Sequence, residues 1–225
     1  MVRKTKVQAA NTREQLLDAA ERVFRQHGVT KTSLAEIAAA AGVTRGAVYW
    51  HFKDKSDLFE AMCQRATLPL DALLDEAGGK THADPLDALR TLTIAALTRL
   101  ATDARAQAVF EVIFHKAELT GELSDIAGRQ ERNRCDCLSS VEAILEQAVT
   151  AGQLPPDTDT ALATRLLHAF VSGTMREWVL DKGAYDLAAH APSLVDTIIA
   201  GLAANPPRRG GRVRPRVRPR ADAAA

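Results

Sequence analysis

The sequence predicts an all-α protein. Aromatic residues make up 4% of the chain, whereas alanine and leucine are abundant. Few segments alternate apolar and polar residues at period two, and runs of β-branched residues are nearly absent. Apolar residues instead recur every three or four positions between capping and turn signals, which is the spacing of amphipathic helices. These observations favour helices along most of the chain.

Length and composition exclude several classes of protein. At 225 residues the chain can form one or two compact units with a sizeable core. Its longest stretch without a charged residue, 197–207, is too short and too interrupted by proline to span a bilayer. No apolar segment follows the basic N-terminus, so no secretion signal is expected. Three cysteines are too few for a disulfide framework. We therefore expect a cytoplasmic protein without a membrane segment.

The net charge of +1 conceals an asymmetry along the chain. Residues 1–60 hold ten Lys and Arg against seven Asp and Glu, and residues 61–205 hold twelve against twenty. Residues 206–225 hold seven arginines and one aspartate. Basic ends and an acidic middle are typical of a protein whose ends contact a polyanion while its middle does something else.

The first helix is predicted to begin at a capping box, Thr12 to Gln15, and to end at Gly28. Two short helices joined by a tight turn follow within residues 33–55. Ser33 and Glu36 have the spacing of a second capping box. Gly42 can adopt the left-handed conformation that ends a helix, and Thr44 can cap the helix that follows. This pattern is a helix-turn-helix, whose second helix enters a major groove of DNA.

The rest of the chain predicts longer helices. Asp54 can cap a helix that reaches about residue 77, and at 1.5 Å per residue this helix is roughly 35 Å long and can link two domains. Asp84 and Pro85 open the next helix, with proline in the first turn where its missing N–H does no harm. Further helices are predicted over residues 104–116, 123–150, 159–181 and 192–204. The predicted domains are a DNA-binding domain (1–54), a ligand-binding and dimerisation domain (55–205) and a disordered arginine-rich tail (206–225).

The segment from residue 42 to residue 55 resembles the DNA-binding domain of the TetR/AcrR family of bacterial repressors. It reads Gly42-Val43-Thr44-Arg45-Gly46-Ala47-Val48-Tyr49-Trp50-His51-Phe52-Lys53-Asp54-Lys55. The number and lengths of the helices over residues 10–205 match that family and imply its nine-helix fold. The loop over residues 152–155, Gly-Gln-Leu-Pro, and the N-terminal Val-Arg-Lys-Thr-Lys resemble the branch that represses multidrug efflux pumps. The arginine-rich tail is not part of the family pattern.

Tyr49 and Trp50 cannot both face inward, because Val48 and Phe52 occupy the inner face of the second helix. Arg45 is the candidate for base readout, since its planar guanidinium fits the O6/N7 edge of guanine. The resemblance implies that Tyr49 and His51 reach phosphates, that Trp50 packs along the DNA backbone or the groove wall, and that Lys55 contacts a phosphate. Gly46 lets the helix backbone approach the duplex, whereas Ser33 and Thr44 can bond phosphate or serve only as caps. The predicted DNA contacts are Ser33, Thr44, Arg45, Gly46, Tyr49, Trp50, His51 and Lys55.

A helix-turn-helix of this kind normally works as a dimer on a palindromic operator. The last two predicted helices carry more apolar surface than one monomer's exterior should show, and packed against a second copy they would form a four-helix bundle. The alternative is that they only close the core of their own chain. The residues of this predicted homodimer interface are Leu162, Leu166, Ala169, Phe170, Gly173, Trp178, Val195, Ile198, Ile199 and Leu202.

The resemblance also implies that the middle helices surround a cavity for a small hydrophobic effector. Arg134 departs from drug-sensing relatives, which usually have an apolar residue there. Since a buried unpaired guanidinium is costly, Arg134 turns outward, pairs with Asp136 or Glu131, or meets an anionic or phenolic ligand. The predicted ligand contacts are Leu92, Ala96, Phe110, Phe114, Arg134, Cys137, His168, Val171, Ser172 and Met175.

No pattern predicts a metal site, a cofactor or catalysis. Cys135 and Cys137 lie two positions apart on a helix and diverge by about 200°, so they cannot easily chelate one ion. His115 and His168 lack metal-ligand spacing, and the chain has no phosphate-binding glycine loop and no nucleophile elbow.

We therefore expect a homodimeric repressor of a multidrug efflux operon that leaves its operator when a small hydrophobic compound binds. One alternative is a regulator of the same fold that senses a metabolite such as an acyl thioester. Another is an architectural or partner-binding protein without an effector. The arginine-rich tail is either a functionless extension or a source of sequence-independent phosphate contacts.

Overall fold

The computed structural model describes residues 2–117 and 124–210, with side chains for residues 7–67, 72–117 and 135–210. Within these residues the all-α prediction is confirmed, since they hold helices and no strand beyond one isolated bridge. The helices are α1 (Val2–His27), α2 (Leu34–Ala41), α3 (Arg45–His51), α4 (Lys55–Gly78), α5 (Pro85–Thr102), α6 (Ala104–His115), α7 (Ser124–Thr150), α8 (Thr160–Leu180) and α9 (Leu187–Ala204).

The predicted start of the first helix is wrong. α1 begins at Val2, and the Thr12 hydroxyl donates to the carbonyl of Gln8, 3.0 Å away and one turn earlier. A capping residue begins a helix only where the preceding chain leaves the helical conformation, and residues 2–11 contain no glycine or proline that would make it do so. The predicted end is confirmed, because Gly28 has a φ of 80° directly after the helix.

The helix-turn-helix forms through the predicted local signals. The Ser33 N–H donates to the Glu36 carboxylate at 2.7 Å, and the Ser33 hydroxyl accepts from the Glu36 N–H. Gly42 ends α2 with a φ of 69°, a conformation that glycine adopts without steric cost. Thr44 then caps α3, since its hydroxyl accepts from the N–H of Ala47 at 3.2 Å. Both the capping box and the turn are therefore confirmed.

The last helix begins earlier than predicted. The Asp186 carboxylate accepts from the Ala189 N–H at 3.0 Å and caps α9 at Leu187, so Pro192 lies inside the helix rather than at its start. By length and mean hydropathy (1.4), α9 is also apolar enough to cross a membrane. The sequence analysis considered only the uncharged stretch 197–207 and therefore missed the apolar character of the whole helix, which Asp196 interrupts.

α9 nevertheless contributes one buried face to the core of the chain. Its buried residues are Leu187, Ala191, Val195 and Leu202. The Asp196 carboxylate accepts from the guanidinium of Arg90 on α5, with one N–O distance of 3.1 Å. One face of α9 is therefore covered by the chain itself.

Three clusters of buried side chains make up the core among the described residues. The first lies beneath the helix-turn-helix and includes Leu58, Phe59 and Met62 of α4 together with Val109 and Val112 of α6. The other two lie between α5, α7, α8 and α9. The core beneath the helix-turn-helix therefore extends past the predicted boundary at residue 54 and depends on α4 and α6.

The far end of α4 is fixed on α7 by a close helix crossing. A Cβ atom on Gly78 would lie 2.8 Å from the Cα atom of Ser140, so only glycine permits this approach. Just beyond α4, the Gln147 amide donates to the carbonyl of Lys80 at 2.7 Å and accepts from the N–H of His82 at 2.9 Å. This crossing fixes the end of α4 that is farther from Lys55.

Residues 206–210 form a short anchor after α9. The N–H of Asp159 donates to the Pro207 carbonyl, and the N–H of Arg209 donates to the Asp157 carbonyl, both at 2.8 Å. Arg208 also pairs with the Asp157 carboxylate. The anchor therefore lies against the loop between α7 and α8. Gln153 of the same loop donates to the Asp84 carboxylate at 2.7 Å, just before α5. The prediction of a disordered tail over residues 206–225 is wrong for residues 206–210, because their backbone bonds to Asp157 and Asp159. Residues 211–225 lie outside the described residues.

Candidate nucleic-acid interface and ligand cavity

Both aromatic residues of α3 face outward, as the sequence predicts. Tyr49 is 49% exposed and Trp50 73% exposed, whereas Val48 and Phe52 are buried. The Arg45 guanidinium lies over the Tyr49 ring, 5.5 Å from its centroid, and donates to the Tyr49 hydroxyl at 3.2 Å. This pair, one turn apart on the helix, holds a planar donor group at the outer face of α3.

His51 is half-buried at the end of α3. Its ring meets the Trp50 ring edge to face at 4.6 Å between centroids. Burial lowers the pKa of His51, and the positive charge of Arg13 lowers it further. The guanidinium of Arg13 also lies over the Phe52 ring at 5.3 Å. A neutral imidazole can still donate one N–H to a phosphate, which is compatible with the predicted role.

Lys55 joins α4 to the loop between α1 and α2. Its ammonium group donates to the carbonyls of Thr30 and Thr32 at 3.2 and 3.1 Å. The sequence predicts a phosphate contact at Lys55 and does not anticipate this second set of partners. A phosphate bound by Lys55 would therefore lie close to the start of α4 and to the loop before α2.

A surface hollow brings four of the predicted DNA contacts together. Ser33, Arg45, Tyr49 and Lys55 line it, and its volume is about 520 Å³. Lys31 also lines the hollow, and the sequence analysis missed it because no helical pattern marks a loop lysine. The other predicted contacts, Thr44, Gly46, Trp50 and His51, lie on α3 or at its cap outside this hollow.

A cavity of about 180 Å³ lies among α4, α5, α6, α7 and α8. Of the ten predicted ligand contacts, eight line it, namely Leu92, Ala96, Phe110, Cys137, His168, Val171, Ser172 and Met175. Phe114 does not line the cavity; its ring stacks on Phe110 with 5.5 Å between centroids. The side chain of Arg134 lies outside the described residues, so its orientation stays a prediction.

The sequence analysis missed further residues of the cavity wall. Many of them lie one helical turn from predicted contacts, as Thr164 does from His168 and Val141 does from Cys137. Helical periodicity applied to the predicted set could have found these. Ala66, Thr67 and Leu74 of α4 had no predicted neighbour. The missed residues are Ala66, Thr67, Leu74, Thr93, Arg99, Leu100, Ala106, Leu138, Val141, Thr164 and Leu167.

The cavity and the core beneath the helix-turn-helix share two helices. On α4, Ala66 lines the cavity and also belongs to the core beneath the helix-turn-helix. On α6, Phe110 lines the cavity, whereas Val109 and Val112 pack beneath the helix-turn-helix. Any molecule that displaces the cavity walls therefore acts on helices that support α3.

A cluster of ion pairs attaches α1 to the same part of α4. The Arg65 guanidinium, 11% exposed, lies 2.7 Å from a carboxylate oxygen of Asp18, and 3.1 and 3.2 Å from those of Glu14 and Glu21. Burial raises the pKa of Glu21, and the charge of Arg65 acts against that rise. Because Arg65 precedes the cavity residue Ala66, these ion pairs join α1 to α4 at the level of the cavity.

Part of the predicted dimer interface lies inside the monomer. Trp178, Val195 and Leu202 are buried in the chain's own core, and the Trp178 indole N–H donates to the Tyr185 carbonyl at 3.1 Å. Their assignment to the interface is wrong, because α5 and α9 cover those sides of the helices. Leu162 and Leu166 of α8 remain exposed, at 49% and 46%.

Two family models match the chain. Residues 16–62 match the model for bacterial regulatory proteins of the tetR family, and residues 84–203 match the C-terminal region of MAATS-type transcriptional repressors. The chain belongs to the TetR family of bacterial transcriptional regulators. Its helix-turn-helix lies within residues 16–62, and the cavity residues of α5, α6, α7 and α8 lie within residues 84–203.

Among TetR family relatives, the HTH-type transcriptional regulator AcrR of Shigella flexneri is 40% identical over 200 residues, covering 88% of this chain and 93% of AcrR. A crystal structure of NalD, the secondary repressor of the MexAB-OprM multidrug efflux pump in Pseudomonas aeruginosa, is 33% identical. It covers 85% of this chain and 97% of NalD, with a TM-score of 0.79. A complex of triclosan with SmeT, the repressor of the Stenotrophomonas maltophilia efflux pump SmeDEF, is 34% identical. It covers 85% of this chain and 91% of SmeT, with a TM-score of 0.76.

Proposed function

We propose that this TetR family protein represses a multidrug efflux operon and leaves its operator when a small hydrophobic or aromatic molecule enters the cavity. The observation that carries the proposal is an apolar cavity whose walls share α4 and α6 with the core beneath the DNA-reading helix. Similarity to NalD and SmeT, both repressors of efflux pumps, supports the choice of target.

Release requires the effector to bind one arrangement of the two DNA-binding domains better than the other. α4 is about 36 Å long. It begins at Lys55, which lines the surface hollow, and it borders the cavity at Ala66. A shift of α4 would therefore move the Lys55 ammonium and the Arg65 ion pairs together. This displacement would change the spacing of two α3 helices in a dimer.

The repressor would act as a homodimer on a palindromic operator. The exposed leucines of α8, Leu162 and Leu166, form the apolar face that a second copy would cover, with Ala169 and Gly173 on the same helix also exposed. The proposed DNA contacts are those of the hollow together with Thr44, Gly46, Trp50 and His51. A cytoplasmic location follows from this role, since the operator lies there.

Binding of the full-length protein to its own upstream DNA tests the function. We expect fluorescence anisotropy to show saturable binding to a labelled palindromic duplex from that region and weaker binding to a scrambled duplex. Triclosan and similar apolar compounds should release the palindrome at concentrations that leave binding to the scrambled duplex unchanged. Failure to bind any palindrome would contradict the proposed DNA-binding function. Binding that no apolar compound reverses would contradict the proposed release by a small-molecule effector.

The arginine-rich tail is expected to add nothing to operator binding. Its anchor lies against the loop between α7 and α8, which bonds to Asp84 after the end of α4, whereas the surface hollow lies at the start of α4. We expect deletion of residues 211–225 to leave the slope of log affinity against log salt unchanged on a minimal operator, measured by anisotropy. A fall of about 0.9 in slope for each lost phosphate contact would show instead that the tail reaches the DNA.

A further inference from the structure

Two polar atoms of the cavity wall are buried without a partner. Within the part of the chain that the structure describes, neither the Arg99 Nε nor the Thr164 hydroxyl has a hydrogen-bond partner. Both residues line the cavity, and Thr164 is 2% exposed. Buried polar groups in folded proteins are nearly always hydrogen-bonded, so these two atoms require an explanation.

The other threonine hydroxyl buried in this wall differs from them. The Thr93 hydroxyl donates to the carbonyl of Leu89 at 2.7 Å, one turn earlier on α5. Arg99 is held at its outer end, where its Nη2 lies 3.3 Å from the carboxylate of Asp103. The ion pair therefore occupies one nitrogen of the guanidinium and leaves the buried Nε without an acceptor.

The chemistry of the two groups defines the missing partner. The Nε–H of arginine is a donor only, whereas a threonine hydroxyl both donates and accepts. A ligand hydroxyl can accept from the Arg99 Nε–H through its oxygen, or donate its hydrogen to the Thr164 hydroxyl. The rest of the wall is largely apolar, with Leu100, Phe110 and Met175 among its residues, which suits an aromatic body.

We propose that Arg99 and Thr164 select effectors that carry a hydroxyl group on an aromatic ring, that is, phenols. This inference rests on the proposed effector function and names the chemical class that the cavity prefers. An aromatic hydrocarbon of the same shape leaves both buried atoms unpaired, so it binds more weakly. The positive charge of Arg99 favours phenols further when they ionise.

The test compares 2-naphthol with naphthalene, which has the same ring system without the hydroxyl. Calorimetry on the full-length protein is expected to show about tenfold tighter binding of 2-naphthol. Thr164→Val and Arg99→Met should each remove most of this preference while the affinity for naphthalene changes little. Thr93→Val is the matched control, because its hydroxyl already has a partner, and it should keep the full preference.

The possible outcomes separate the inference from the effector function. If both compounds bind the unaltered protein equally well, or if Thr164→Val keeps the preference, the selection of phenols is overturned while the cavity stays an effector site. If neither compound binds, the effector function and the inference are both overturned. Thermal unfolding checks that each variant is folded. If Arg99→Met unfolds because it loses the ion pair with Asp103, the comparison of Thr164→Val with Thr93→Val is sufficient to test the preference for phenols.

Discussion

Arg45→Ala is expected to weaken operator binding by the dimer by about 30-fold or more, because each bidentate contact to a guanine edge is lost twice on a palindrome. Arg45 lies at the start of the DNA-reading helix, where Tyr49 holds its guanidinium by stacking and by a 3.2 Å hydrogen bond. The measurement is an anisotropy titration at fixed salt. The variant should also discriminate less between base pairs at one position of each half-site.

Two further substitutions separate base readout from simple charge. Arg45→Lys keeps the positive charge but loses the planar pair of donors, so it should lose discrimination nearly as fully as Arg45→Ala. Tyr49→Phe keeps the ring beneath the guanidinium and removes only the hydroxyl, so it should reduce affinity less. If Arg45→Lys binds and discriminates like the unaltered protein, Arg45 is a phosphate contact and base readout belongs to another residue.

Ala96→Trp is expected to abolish release by effectors while operator binding persists. Ala96 is 7% exposed and lines the cavity, so the indole must occupy the space that a ligand would take. We expect the concentration of effector that releases half of the DNA to rise at least about 100-fold, because displaced ligand contacts and overpacking act together. Anisotropy with increasing effector measures it.

The matched control is Ala95→Trp, one residue earlier on α5 and exposed to solvent. It adds the same side chain outside the cavity and should respond to effector like the unaltered protein. Unfolding temperatures of both variants show whether overpacking has destabilised the domain. Normal release in Ala96→Trp would mean that effectors act elsewhere, and it would favour the sensing of a ligand at another surface.

Local signals in the sequence were sufficient for the helix-turn-helix. The reciprocal bonds of Ser33 and Glu36, the left-handed Gly42 and the cap at Thr44 involve residues within a few positions of each other. Helical spacing alone excluded an inward direction for both Tyr49 and Trp50, and the resemblance to the TetR family implied that both face outward. Such features depend on short-range hydrogen bonds and backbone sterics, which the residue types themselves specify.

The predicted starts of α1 and α9 were wrong, because each depends on residues outside the local capping signal. The Thr12 capping signal did not begin α1, because nothing before it interrupts the helix. Pro192 did not begin α9, because the Asp186 cap lies six residues earlier and packing on α5 compensates for the lost N–H. Local propensity is small compared with the packing free energy of an amphipathic helix, so packing decides.

The sequence by itself determined that the chain is helical and that Tyr49 and Trp50 cannot both face inward. Its resemblance to the TetR family also implied that α5 and α8 carry cavity residues. Only the tertiary structure decided which apolar faces are covered. It placed Trp178 inside the monomer, turned Phe114 away from the cavity and left Arg99 and Thr164 with unpaired buried atoms. The physical reason is that helical spacing shows which side of a helix is apolar, whereas its neighbour there depends on contacts between segments far apart in the chain.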